Sequence, residues 1–133
     1  MNSSYSRFKS NFFGSGLGFK IKYESIPLLQ MTFIIGACGG YSKSKNGVFT
    51  SPFYPNVYPK NADCVYRISQ QNGTFINLTV EVFDIEDGTD SSCSYDSLEI
   101  RDGGSEDSPM IGKFCGTNIP SSLISTDSSM WIR

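Results

Sequence analysis

The chain has 133 residues, room for one domain of about 100–120 residues and an extension. Charged residues make up 18% and aromatics 14%, and Asn, Ser, Thr and Gly fill the loops in the manner of extracellular sheet proteins. A formal net charge of -2 with no basic run argues against a nucleic-acid partner, and the lack of histidine removes Ser-His-Asp and Cys-His catalysis.

Residues 1–25 contain Gly14-Ser15-Gly16 and then Phe19, Ile21 and Tyr23 alternating with Lys20, Lys22 and Glu24. This pattern predicts a turn followed by a half-buried strand over 18–24. Residues 26–37 form an apolar connection broken by Pro27, Gln30 and Thr32. At 12 residues it falls short of the ~20 needed to cross a bilayer, so no direct membrane insertion is expected.

From Cys38 onward, short apolar runs are separated by turn residues. Gly39-Gly40 and Lys45-Asn46-Gly47 open the region, and Pro52, Pro55 and Pro59 crowd a stretch that also holds Phe53, Tyr54 and Tyr58. Such proline density excludes a helix or a central strand there. Strands are expected over 64–68, 75–83, 97–101, 110–114, 123–126 and 130–133. The second is the longest, with Ile76, Leu78, Val80 and Val82 on one face and Asn77, Thr79 and Glu81 on the other. Glycosylation sequons fit this reading: Asn72-Gly73-Thr74 falls on a turn, and Asn77-Leu78-Thr79 puts its asparagine on the wet face. No segment sustains a 3.6-residue period, so the expected architecture is all-β, an antiparallel sandwich.

The four cysteines, Cys38, Cys64, Cys93 and Cys115, occur without histidine or a Cys-x-x-Cys motif. That favours two disulfides in an oxidising, extracellular or cell-surface setting over zinc or redox chemistry.

Cys38-Gly39-Gly40 followed by Gly47-Val48-Phe49-Thr50-Ser51-Pro52-Phe53-Tyr54-Pro55 and Tyr58-Pro59 resembles the opening of a CUB domain. Phe83-Asp84-Ile85-Glu86, Tyr95-Asp96-Ser97-Leu98-Glu99-Ile100, Asp102-Gly103 and Phe114-Cys115-Gly116 resemble its middle. Residues 125–133 resemble the approach to its last strands. The resemblance implies a jelly-roll-like sandwich over 38–133 with Cys38–Cys64 and Cys93–Cys115 bridges, halted before its final strands. Residues 1–25 resemble such an ending, the tail of a preceding CUB repeat, and are expected to fill the gap left in the sandwich.

The resemblance also implies a calcium site. Glu86, Asp96 and Asp127 match positions that supply carboxylates in calcium-binding CUB domains. Ser129 is the expected further donor, and Tyr58 would orient a carboxylate through its hydroxyl. The implied function is that of a non-catalytic, calcium-dependent protein-binding module of an extracellular or endocytic multi-CUB receptor. Its partners would be neighbouring CUB repeats and a protein ligand presenting Lys or Arg to Glu86 and Asp127. The competing expectations are an ancillary domain of a secreted protease and a structural spacer without calcium.

Overall fold

The structure is a computed structural model that describes residues 7, 9, 11, 14, 16–22, 24 and 32–133. Among these residues there is no helix, and seven strands form: β1 Gly40–Ser42, β2 Tyr66–Ser69, β3 Asn77–Thr79, β4 Leu98–Asp102, β5 Met110–Phe114, β6 Ser122–Ile124 and β7 Ser129–Ile132. Five of them make one sheet in the order β1-β2-β7-β4-β5, and β3 pairs with β6 in a second. Both expected disulfides, Cys38–Cys64 and Cys93–Cys115, are present.

Alternation along the strands decides what is buried. Tyr66, Ile100, Met130 and Ile132 project inward from the large sheet and meet Ile76 and Leu123 from the small one. Ile100, Met130 and Ile132 are almost fully excluded from water. Burying a side chain of this size contributes roughly 1.5–3 kcal/mol, so these three supply much of the cohesion between the sheets. Gly112 lies opposite Ile100, and a Cβ there would collide with the Phe114 ring. The glycine lets that aromatic lie back over its own strand.

The sequence reading of 110–114 coincides with β5, and the all-β, disulfide-bridged sandwich stands as expected, with differences in detail. The sandwich is not wholly antiparallel, because β1 runs parallel to β2 with Gly40 opposite Tyr66 and Ser42 opposite Ile68. The long strand over 75–83 contracts to β3. The Val80 N–H still reaches the Ser121 carbonyl at 3.0 Å, but the next residue of the partner chain is Pro120, which has no N–H to extend the ladder. Val82, expected on the buried face, is 67% exposed.

Part of the apolar connection is built into the sandwich. Phe33 packs on Phe49 and Tyr66, with ring centroids 5.5 and 5.9 Å apart, and Phe49 lies 5.1 Å from Tyr66. The Gly36 N–H donates to Thr50 Oγ1 at 2.8 Å, and its carbonyl accepts from the Phe53 N–H at 2.9 Å. Tyr66 hydroxyl, buried with its ring, donates to the Thr50 carbonyl at 2.6 Å. Residues 26–31 lie outside the described residues. In the N-terminal segment residues 18–22 and 24 carry no strand, and Phe19 and Ile21 are exposed. The expected strand over 18–24 is therefore not formed among its described residues. Most of 1–15, including Tyr5 and Phe8, lies outside the described residues.

Gly39, just before β1, lies hard against Val65, just before β2. Its φ is +80°, and an added Cβ would strike the Val65 carbonyl oxygen, a backbone atom that cannot swing aside. Gly73 has a similar φ of +85° with nothing within 4 Å of an added Cβ. Gly39→Ala is expected to lower unfolding free energy by about 2–4 kcal/mol from clash and backbone strain together, and Gly73→Ala by strain alone. Urea unfolding of both variants checks this, and equal losses would contradict the close approach.

Candidate functional site: an acidic corner held by a disulfide

Residues 80–97 cross one end of the sandwich without regular strand structure, yet the segment is fastened firmly. Ile85 forms a β-bridge with Gly116, its N–H donating to the Gly116 carbonyl at 3.0 Å. Eight residues later Cys93 is bonded to Cys115. The loop is thus tied twice to the residues that follow β5, and Glu86 and Asp96 flank the two ties.

Tyr58 joins these carboxylate-bearing residues to the proline-rich loop. Its hydroxyl donates to Asp96 Oδ2 at 2.7 Å and accepts from the Glu86 N–H at 3.1 Å. Removal from water raises the Tyr58 phenol above its ordinary pKa, and the Asp96 carboxylate adds to the rise. The phenol therefore remains a proton donor and fixes the Asp96 orientation. Pro59, Lys60, Asn61, Ala62 and Tyr95 complete a shallow depression around Glu86 and Asp96. Three expected residues, Tyr58, Glu86 and Asp96, are brought together.

Asp127 and Ser129 are not brought to this corner. β4 and β7 pair with Ile100 opposite Ile132 and Asp102 opposite Met130, so Asp127 lies beyond the Asp102 end of β4. Asp96 precedes Leu98 at the other end, and the strand from Leu98 to Asp102 alone sets the two ends ~13 Å apart. Both acids flank the same strand pair, but antiparallel pairing sends them to opposite ends.

At its own end Asp127 is occupied in a turn. Its Oδ1 accepts the Ser129 N–H at 3.0 Å, and its carbonyl accepts from Ser125 Oγ at 2.7 Å. Ser125 is buried and also accepts the Ile76 N–H at 2.8 Å. Asp102, to which the sequence assigns no role, anchors the turn. Its carboxylate accepts from the N–H groups of Thr126 and Asp127 at 3.0 and 2.9 Å and from Thr126 Oγ1 at 2.6 Å. The spacing between Asp102 and Thr126 gives no sequence signal, because the contact exists only once β4 and β7 are paired.

Calcium takes about six to eight oxygens at roughly 2.3–2.6 Å. The four-residue set of Glu86, Asp96, Asp127 and Ser129 does not fit one ion. Among the described residues no three His, Cys, Asp or Glu side chains are grouped closely enough to hold a metal. Glu86 and Asp96 have the oxygen chemistry that calcium prefers, but as a pair they supply only part of a shell.

The CUB domain family profile matches residues 38–133. The chain belongs to the CUB domain family. It is 38% identical over 126 residues to Tolloid-like protein 1 of Mus musculus, covering 95% of this chain and 11% of that protein. Over 137 residues it is 39% identical to cubilin of Homo sapiens, covering 99% of this chain and 4% of that protein. Among solved structures, the MASP-1 CUB2 domain bound to Ca2+ matches with a TM-score of 0.53 and 35% identity, covering 62% of this chain and 70% of that one. The chain therefore spans only a small part of these curated relatives.

The Asp102 carboxyl is held below its ordinary pKa of 3.8, chiefly by the Thr126 hydroxyl and then by the Asp127 N–H. A depressed folded-state pKa contributes stability that is complete above the unfolded value and lost as pH falls through the folded one. Asp102→Asn is expected to cost about 1 kcal/mol at pH 7 after solvent screening. It should also flatten the loss of stability below about pH 4. Melting curves from pH 7 to pH 2 check this, and parallel curves would contradict the assignment.

Proposed function

We propose that this CUB domain is a non-catalytic, calcium-dependent protein-binding module of an extracellular multi-CUB receptor, and that its working surface is the corner formed by Tyr58, Glu86 and Asp96. The observation that carries the reading is the Tyr58 hydroxyl, which bonds to the Asp96 carboxylate and to the Glu86 backbone at once. Two acids on an irregular loop would ordinarily spread apart under mutual repulsion. Here a phenol, a β-bridge and a disulfide hold them beside the same depression.

Calcium at this corner would be held by Glu86 and Asp96, with backbone carbonyls and water completing its coordination and Tyr58 orienting Asp96. The cation would relieve carboxylate repulsion and leave outward oxygens to accept charge-assisted hydrogen bonds from a Lys or Arg of the partner. The Ca2+ reported for the MASP-1 CUB2 domain supports the choice of metal. Lys60 also lines the depression, so partner cations would have to approach from the side of Glu86 and Tyr95. The two disulfides support an extracellular setting, and the lack of histidine in the chain supports a binding role.

A ligand that binds only the folded state raises its stability. Calcium at saturating concentration is expected to raise the melting temperature of the wild type by several degrees. Asp96→Ala and Glu86→Ala should abolish that rise, while Asp127→Ala should retain it from a lower starting temperature. Differential scanning calorimetry with and without a chelator reads all four proteins. No rise in the wild type would overturn calcium binding, and loss of the rise in Asp127→Ala alone would return the ion to the other end of the sandwich.

A further inference from the structure

Two sequons lie in the described part of the chain, and the fold places them together at the end of the sandwich away from the acidic corner. β2 ends at Ser69, whose register partner is Ser129, and the Gln70 N–H bonds the Ser128 carbonyl at 2.8 Å. Asn72 follows on the exposed turn between β2 and β3. Gly73 takes a φ of +85°, and the Thr74 N–H closes the turn on the Gln71 carbonyl at 3.1 Å. The Asn72 side chain makes no hydrogen bond to the described residues, so its amide nitrogen stands in water.

Asn77 opens β3 just after Ile76, which exchanges hydrogen bonds with Ser125. Its neighbours in sequence alternate: Ile76 is buried and Leu78 half-buried, while Asn77 and Thr79 face solvent. Asn77 Oδ1 accepts from the Ser122 hydroxyl at 2.7 Å, leaving Nδ2 as the outward atom of the amide. Directly across the ladder from Asn77 stands Ile124, 61% exposed on the same wet face. An apolar side chain so placed on a two-stranded sheet is left largely uncovered by the described residues.

We infer that Asn72 and Asn77 both carry N-linked glycans, and that the Asn77 glycan lies over Ile124 and covers the outer face of the β3–β6 sheet. The modification forms a bond between the asparagine Nδ2 and the anomeric carbon of a polyprenyl-pyrophosphate-linked oligosaccharide. The bond from that carbon to phosphate breaks, the lipid pyrophosphate leaves, and the amide nitrogen loses one proton. No oxidant or reductant is involved. Sugar on this face leaves the Tyr58 corner clear at the other end.

The test uses the full chain secreted from a eukaryotic host, with Asn2→Gln built into every protein compared, the wild-type reference included, so that the Asn2-Ser3-Ser4 sequon adds no glycan to the count. Peptide-N-glycosidase treatment followed by intact mass measurement is expected to remove two glycans from the wild type. It should remove one from Asn72→Gln, one from Asn77→Gln and none from the double variant. Thr79→Ala serves as a second route to the Asn77 site, because it keeps the Asn77–Ser122 hydrogen bond while breaking the sequon, and Thr79→Ser should keep both glycans. A wild type with fewer than two glycans would overturn the assignment. On a hydrophobic-interaction column Thr79→Ala should be retained longer than Asn72→Gln, and equal retention would contradict the covering of Ile124.

Discussion

The Cys93–Cys115 bridge is the constraint on which the functional end of this domain depends. Between β3 and β4 the chain runs through residues 80–97 without a strand, and holding such a segment in place costs roughly 1–2 kcal/mol of backbone entropy per residue. The bridge spans 22 positions, and closing a loop of that size in the unfolded chain contributes about 3 kcal/mol on the chain-entropy view. It acts together with the Ile85–Gly116 β-bridge. Glu86 and Asp96 inherit their positions from these ties, and Tyr58 converts that placement into a defined carboxylate orientation.

The other bridge organises the opposite flank. Cys38–Cys64 sets the start of β1 beside the start of β2, and Gly39 permits the two backbones to meet. Asp63, next to Cys64, takes the Arg133 guanidinium in a fork at 2.8 and 2.9 Å. Arg133 in turn exchanges backbone hydrogen bonds with Glu99. A continuous chain of contacts thus runs from the first strand, through β7, to β4 and the loop that carries Asp96.

Where local pattern decides the structure, the sequence was informative. The alternation in 97–101, 110–114 and 130–133 produced β4, β5 and β7 within a residue or so, and the CUB motifs carried the disulfide pairing. β1 was illegible because Gly40-Tyr41-Ser42 has no apolar rhythm, and its parallel pairing follows from the disulfide rather than from propensity. The 75–83 strand was overextended because its own alternation continues while its partner runs into Pro120. The acidic corner was half legible: Glu86, Asp96 and Tyr58 converge, whereas Asp127 and Ser129 belong to a turn whose anchor, Asp102, is visible only in three dimensions. Motif proximity along a sequence carries no information about which end of an antiparallel pair a residue will occupy.

The two ends of the sandwich therefore have different chemistry. One end gathers Tyr58, Glu86 and Asp96 around an open depression, and the other spends its acids, Asp102 and Asp127, on satisfying backbone N–H groups. The most direct measurement of that division is a calcium titration of the isotopically labelled chain, followed by amide chemical shifts residue by residue. The account predicts saturable shifts concentrated at residues 58–62, 85–87 and 95–97, with 102 and 125–129 unmoved. Shifts centred on Asp102, Asp127 and Ser129, or none at all, would contradict it.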